Sequence, residues 1–167
     1  MSFETPHRAA IALGSNLSSV YGGPAANVAR AIEELRAVGH VTAVSGFVET
    51  EPVGYTDQPR FVNAAALLET ELGPQQVLER LLEIERRMGR DRSAAAIPKG
   101  PRAIDLDLLL VDELAVEGAT LTLPHPEIQH RRFVLEPLAE IAPDWVHPVL
   151  GLTVAQMLSR LRPSSLP

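Results

Sequence analysis

The feature that most constrains this chain is the run Ile104-Asp105-Leu106-Asp107-Leu108-Leu109-Leu110-Val111. It follows the turn signal Gly100-Pro101, an arginine and an alanine. The run is short and aliphatic, which favours a buried strand over a helix. Alternate side chains of a strand share a face. Asp105, Asp107 and Leu109 therefore point one way, while Ile104, Leu106 and Leu108 point into a core. Carboxylates on a mostly apolar strand are costly to bury without a cation or hydrogen bonds. Hard cations such as Mg²⁺ accept carboxylate oxygens and leave room for phosphates. The pattern thus predicts a Mg²⁺–nucleotide site. For an isolated Asp-x-Asp the plainer alternative is a wet sheet face with two solvated acids. Arg102, three residues before Asp105, weighs against it.

The remaining elements follow from periodicity. Residues 8–13 form a short apolar strand that ends in the turn cluster Gly14-Ser15-Asn16. Pro24 opens a helix whose apolar residues Val28, Ala31, Ile32, Leu35 and Val38 repeat at helical spacing up to Gly39. Residues 41–47 read as a second strand running on toward Gly54. Residues 52–59 hold two prolines, a glycine and an aspartate, and predict a loop. In the third strand, 61–70, Phe61, Asn63, Ala65 and Leu67 share one face. An aromatic ring beside a carboxamide can stack on a flat heterocycle and read its polar edge. An ordinary core Phe and a strand-start Asn explain that spacing equally well. A second helix begins at Pro74 and closes at Gly89. Residues 90–100 read as a lid-like loop, with a plain surface connection as the alternative. His125 is held between Pro124 and Pro126, where it could donate to a phosphate, although a lone His is more often structural. The order β-α-β-β-α-β with a C-terminal extension predicts an α+β fold. It is a ferredoxin-like split βαβ sandwich, with an antiparallel sheet and packed helices on one face.

Composition sets the outer limits. The length of 167 residues predicts one domain, 1–167. A net charge of −6 argues against nucleic-acid or anionic-membrane partners. There is no cysteine, which removes disulfides and thiolate chemistry. Neither a signal-like leader nor a membrane-spanning run is visible, so the expectation is a cytoplasmic protein. Among the 15 Lys plus Arg residues only Lys99 is a lysine, and arginine forks suit phosphate. No Gly-x-x-x-x-Gly-Lys-Ser/Thr occurs, so a phosphate grip must come from side chains.

Four segments in register resemble the 6-hydroxymethyl-7,8-dihydropterin pyrophosphokinases of folate biosynthesis. They are Ile11-Ala12-Leu13-Gly14-Ser15-Asn16-Leu17; Thr50-Glu51-Pro52-Val53-Gly54 with Asp57-Gln58-Pro59-Arg60-Phe61-Val62-Asn63-Ala64-Ala65; Gly100-Pro101-Arg102-Ala103-Ile104-Asp105-Leu106-Asp107; and Leu121-Thr122-Leu123-Pro124-His125-Pro126. The resemblance implies a monomeric ferredoxin-like enzyme. It would move pyrophosphate from ATP to the pterin hydroxymethyl oxygen and release AMP. By position, Asp105 and Asp107 resemble ligands of two Mg²⁺ ions, and Arg90 and Arg102 resemble catalytic clamps on the triphosphate. Arg92, Thr122, His125 and Arg131 resemble further ATP contacts, together with Glu85 and Leu108. Thr50, Val53, Phe61, Asn63 and Phe133 resemble the pterin pocket. The chain departs from the pattern at Lys99, where some members carry Trp, at Glu51 and at Pro126. Its 92–102 segment is also slightly longer. Two other readings compete: a two-metal nucleotidyltransferase on a similar sheet, and a non-catalytic split βαβ binding module. The first would call for a third acid near Asp105, and neither accounts for residues 52–63.

Overall fold

In the computed structural model of the protein, residues 6–50, 60–89 and 103–161 are described. The sheet contains β1 (His7–Ser15), β2 (His40–Val44), β3 (Val48–Thr50), β4 (Phe61–Thr70) and β5 (Asp105–Val111). Its order is β2-β4-β1-β5, with β3 continuing the β2 side of β4, and every pairing is antiparallel. This is the ferredoxin-like order, with one strand broken in two. The break falls at Ser45–Phe47. There the Ser45 hydroxyl accepts from the Ala65 N–H, and the Gly46 N–H donates to Glu140.

Helices α1 (Pro24–Leu35) and α2 (Pro74–Arg87) each begin with a glycine N-cap followed by proline. Proline fits the first helical turn because its missing N–H would have no partner there. Both helices pack on one face of the sheet. Val28, Ala31, Leu35, Val77, Leu81 and Ile84 bury against Ile11, Leu13, Ala66, Leu68, Leu106 and Leu108.

The opposite face is covered too, which differs from the one-sided sandwich expected from the order of elements. Helices α3 (Arg132–Ile141) and α4 (Val154–Arg160) cover it with Trp145. Leu135, Leu138 and Met157 pack there on Ala10, Ala65, Leu67, Leu109 and Leu110. The sequence basis is visible in the central strands: Ala9 to Ile11 and Ala64 to Leu68 are buried without a break. A strand apolar on successive residues belongs to a sheet covered on both sides. A bulge completes the pattern. The β1–β5 register shifts between Ala10 and Ile11, so Leu109 and Leu110 both join the second core while Val111 returns to the first. A two-stranded ribbon of β6 (Val116–Glu117) and β7 (Thr122–Leu123) leads by a cis Leu123–Pro124 bond to a 3₁₀ turn, Ile128–His130.

Candidate active site

The second face is not filled along its whole length. Gly14 of β1 lies opposite Asn63 of β4 on one side and Asp105 of β5 on the other. Ala12 lies opposite Asp107. The central strand thus offers its two smallest residue types between an amide and two acids. Over this floor hang Arg131, Arg132, Phe133 and Val134 at the start of α3. The result is a cavity of about 380 Å³, also lined by Thr50, Phe61 and His130. That volume falls within the ~300–1,000 Å³ usual for small-molecule sites.

One side of the cavity is suited to a flat heterocycle. Phe61 and Phe133 line it from different elements, a strand and a helix. Beside Phe61 the Asn63 side chain is buried, and its Nδ2 donates to Thr50 Oγ1 at 2.5 Å. The Asn63 carboxamide is thereby fixed, with its oxygen toward Gly14, 3.1 Å from where a Cβ would stand.

The other side is ionic. Asp105 and Asp107 both line the cavity and are half-buried. His125 Nε2 lies 4.0 Å from Asp107 Oδ1, beyond hydrogen-bond reach. His125 Nδ1 accepts the Glu127 N–H at 3.1 Å, so the neutral ring carries its proton on Nε2, facing the acids. Burial lowers the His125 pKa, and the Arg131 charge lowers it further against the opposing pull of Glu127 and Asp105. Arg131 itself lies over the Phe133 ring, 5.8 Å from its centre. Among the described residues, no third His, Cys, Asp or Glu joins the two acids as a metal-binding group. Two carboxylates with open space beside them suit Mg²⁺, which keeps water and phosphate oxygens for its remaining positions.

Several residues singled out from the sequence lie elsewhere. Leu108 packs its side chain in the core under α1 and α2. Thr122 is exposed on the β6–β7 ribbon. Glu85 is fully buried in α2, and its Oε2 accepts the Leu106 N–H at 2.7 Å. Arg90, Arg92, Arg102 and Val53 lie outside the described residues, as do the loop at 52–59 and the lid-like stretch 90–100. Sequence reasoning did not single out His130, Arg132 or Gly14 as site residues. The contiguous Arg131-Arg132-Phe133 and the glycine ending a buried strand were the available signals.

The family model described as 7,8-dihydro-6-hydroxymethylpterin-pyrophosphokinase matches residues 10–143. The chain belongs to this family. A pyrophosphokinase of Methylorubrum extorquens is 44% identical over 161 residues, covering 95% of this chain and 96% of that one. One from Synechocystis is 40% identical over 157 residues, covering 93% of this chain and 76% of that one. Both are named 2-amino-4-hydroxy-6-hydroxymethyldihydropteridine pyrophosphokinase. Among solved structures, a Plasmodium falciparum HPPK-DHPS crystallised with pteroate superposes with a TM-score of 0.69 at 16% identity. It covers 95% of this chain, which spans 44% of that longer one, and at such identity it supports the fold alone. Like its family, this pyrophosphokinase is a diphosphotransferase of folate biosynthesis that uses ATP as co-substrate. Its described helices include none long and apolar enough to cross a membrane.

Proposed function

We propose that the cavity beneath α3 is where pyrophosphate passes from ATP to the hydroxymethyl group of 6-hydroxymethyl-7,8-dihydropterin, leaving AMP. The observation that carries this reading is that the acidic pair and the aromatic–amide set line one cavity. The pterin ring lies between Phe61 and Phe133 in a pocket shared with Thr50 and Val53, and Asn63 reads its polar edge. Asp105 and Asp107 hold two Mg²⁺ ions, which neutralise charge on the triphosphate. Arg131 and His125 bind phosphate oxygens: a cation lining the cavity and a neutral Nε2–H donor facing Asp107. Arg90 and Arg102 complete the clamp. Arg92 and Thr122 contact the rest of the nucleotide, whereas Glu85 and Leu108, buried on the other face of the sheet, do not reach it. Transfers of this type are accelerated chiefly by positioning and charge neutralisation, and this constellation needs no strong base. The chain acts as one domain, 1–167, and as a cytoplasmic monomer without nucleic-acid or membrane partners.

The test is incubation with ATP, Mg²⁺ and the hydroxymethyl-dihydropterin while nucleotide products are followed. AMP and a pterin diphosphate are expected. ADP in place of AMP would mean transfer of a single phosphoryl group and would sink the assignment.

A further inference from the structure

We propose that Glu85 is a positioning residue for the two aspartates, acting through the backbone of the residue between them. This rests on the reading of Asp105 and Asp107 as metal ligands. Glu85 lies next to Ile84 on the core side of α2 and is 0% exposed. A carboxylate is rarely buried so completely without a specific partner. One partner is the N–H of Leu106, 2.7 Å from Oε2, a charge-assisted contact to the single residue that separates Asp105 from Asp107.

The position of that bond makes it more than a helix–strand contact. Among the described residues, β5 ends the sheet and is paired only with β1. On its free side the Leu106 N–H meets Glu85, and the Leu109 carbonyl accepts from His125 N at 2.9 Å. These two bonds bracket Asp107. The bracketing matters because the β1–β5 ladder slips by one residue just beyond, at the bulge. A slip carried one step further toward Asp105 would turn both acids into the core under α1 and α2, where Leu106 and Leu108 now pack. Glu85 holds the strand on the cavity side of that slip and fixes the depth at which the carboxylates are presented. It does so from the opposite face of the sheet and is not among the cavity residues.

Two variants separate this role from a requirement for negative charge. Glu85→Gln keeps an acceptor for the Leu106 N–H, whereas Glu85→Met keeps the length and helix preference but removes the acceptor. Three quantities are read: Leu106 amide hydrogen exchange, Mn²⁺ binding in the presence of ATP, and the Mg²⁺ concentration for half-maximal AMP release. Glu85→Gln is expected to stay within about threefold of the parent in all three. Glu85→Met is expected to speed Leu106 exchange and weaken both metal measures by about tenfold or more, consistent with loss of one charged hydrogen bond. Pterin KM should stay within about twofold, because Phe61, Asn63 and Phe133 lie on other elements. If Glu85→Met binds Mn²⁺ like the parent, the proposal is overturned. It is equally overturned if Glu85→Gln loses as much as Glu85→Met, since charge would then be the requirement. Should Glu85→Met fail to fold, the Gln variant decides alone: retention supports the proposal and loss refutes it. Absence of AMP formation by the parent protein would sink the functional assignment but not the amide-exchange comparison.

Discussion

Gly14 is the position where a single methyl group should separate pterin binding from everything else the enzyme does. An alanine Cβ at this position would stand 3.1 Å from Asn63 Oδ1, 3.8 Å from Phe61 Cδ1 and 3.9 Å from the Val62 carbonyl oxygen. Only the first contact is too close, by a few tenths of an ångström, and no atom of Asp105 is among the nearest neighbours. The Asn63 carboxamide must yield. It cannot do so freely, because its Nδ2 is tied to Thr50 Oγ1 and the side chain is buried. Rotating it away stretches that bond or mis-aims the edge offered to the heterocycle. A net hydrogen bond is worth about 1 kcal/mol, which corresponds to roughly a fivefold change in affinity.

Stability should move the other way. Gly14 lies inside a strand, where glycine costs about 0.5–1 kcal/mol relative to alanine. For a chain of this size that gain corresponds to a Tm higher by about 1–4 °C, less whatever the displaced amide costs. The expected result for Gly14→Ala is therefore a pterin KM raised about fivefold, with KM for ATP and kcat within about twofold of the parent and a Tm unchanged or higher. Steady-state kinetics with each substrate varied in turn, plus thermal unfolding, check all four quantities. An unchanged pterin KM would refute the placement of Asn63 at the pterin edge. A fall in kcat with pterin KM intact would mean that Gly14 serves the phosphate side instead.

Further outcomes follow from the same geometry. Asp107→Ala should lower kcat by about 10²-fold or more while thermal stability stays near the parent, as for other oriented charge-stabilising groups; AMP formation near the parent rate would end the metal assignment. Phe133→Ala removes one of the two rings across the cavity, and pterin KM should rise by about tenfold or more, with KM for ATP little altered. Thr153→Ala removes the hydroxyl that accepts the Gln156 N–H at the start of α4 and should lower Tm by about 2–4 °C without touching kinetics. His147 makes stability fall in acid. Burial lowers its pKa, outweighing the rise from its own backbone hydrogen bond, and its Nδ1 accepts the N–H groups of Val149 and Leu150. The unfolded chain therefore binds the proton more readily, so the contribution is intact above the unfolded value of about 6.5 and is lost as pH drops below it. Unfolding midpoints between pH 7.5 and 5.5 should decline, and His147→Asn should flatten part of the decline.

Alternation made one half of this protein readable. The split of Phe61, Asn63, Ala65 and Leu67 from Val62, Ala64, Ala66 and Leu68 is the split between the face of β4 that carries the cavity and α3 and the face that packs under α1 and α2. The shared face of Asp105 and Asp107 likewise follows from a period of two, and both line the cavity. What periodicity could not supply was the bulge that sends Leu109 and Leu110 to one side together, since an extra residue in a ladder leaves no mark in an aliphatic run. Nor could it reveal Glu85. At helical spacing that residue resembles the solvated Glu83 and Arg87 beside it, and one partner of the buried carboxylate, the N–H of an edge strand, lies far along the chain.

The C-terminal extension, whose apolar stretch at 133–141 and helix from Val154 are legible in the sequence, is the part that turns a sheet into a site. The β-α-β-β-α-β unit alone buries one face under α1 and α2 and leaves Ala12, Gly14, Asn63, Asp105 and Asp107 on an open floor. The 3₁₀ turn and α3 place His130, Arg131 and Phe133 above that floor. α3 can rest there only because its own apolar residues, Leu135 and Leu138, find Ala10, Ala65 and Leu67 further along the same face. The small central residues therefore serve two ends of one surface. Where a large neighbour faces them they seat the helix, and where the helix begins they leave space. Enlarging Ala65 should lift α3 and open the cavity at the Phe133 end, whereas enlarging Ala12 should fill it beside Asp107. The two changes are thus expected to impair activity by different routes. Ala65→Val should lower Tm, by overpacking that costs about 1–3 kcal/mol. Ala12→Val should leave Tm near the parent and raise the Mg²⁺ concentration required for AMP release. If both changes act on Tm alone, the claim that one face both seats α3 and forms the cavity floor is wrong.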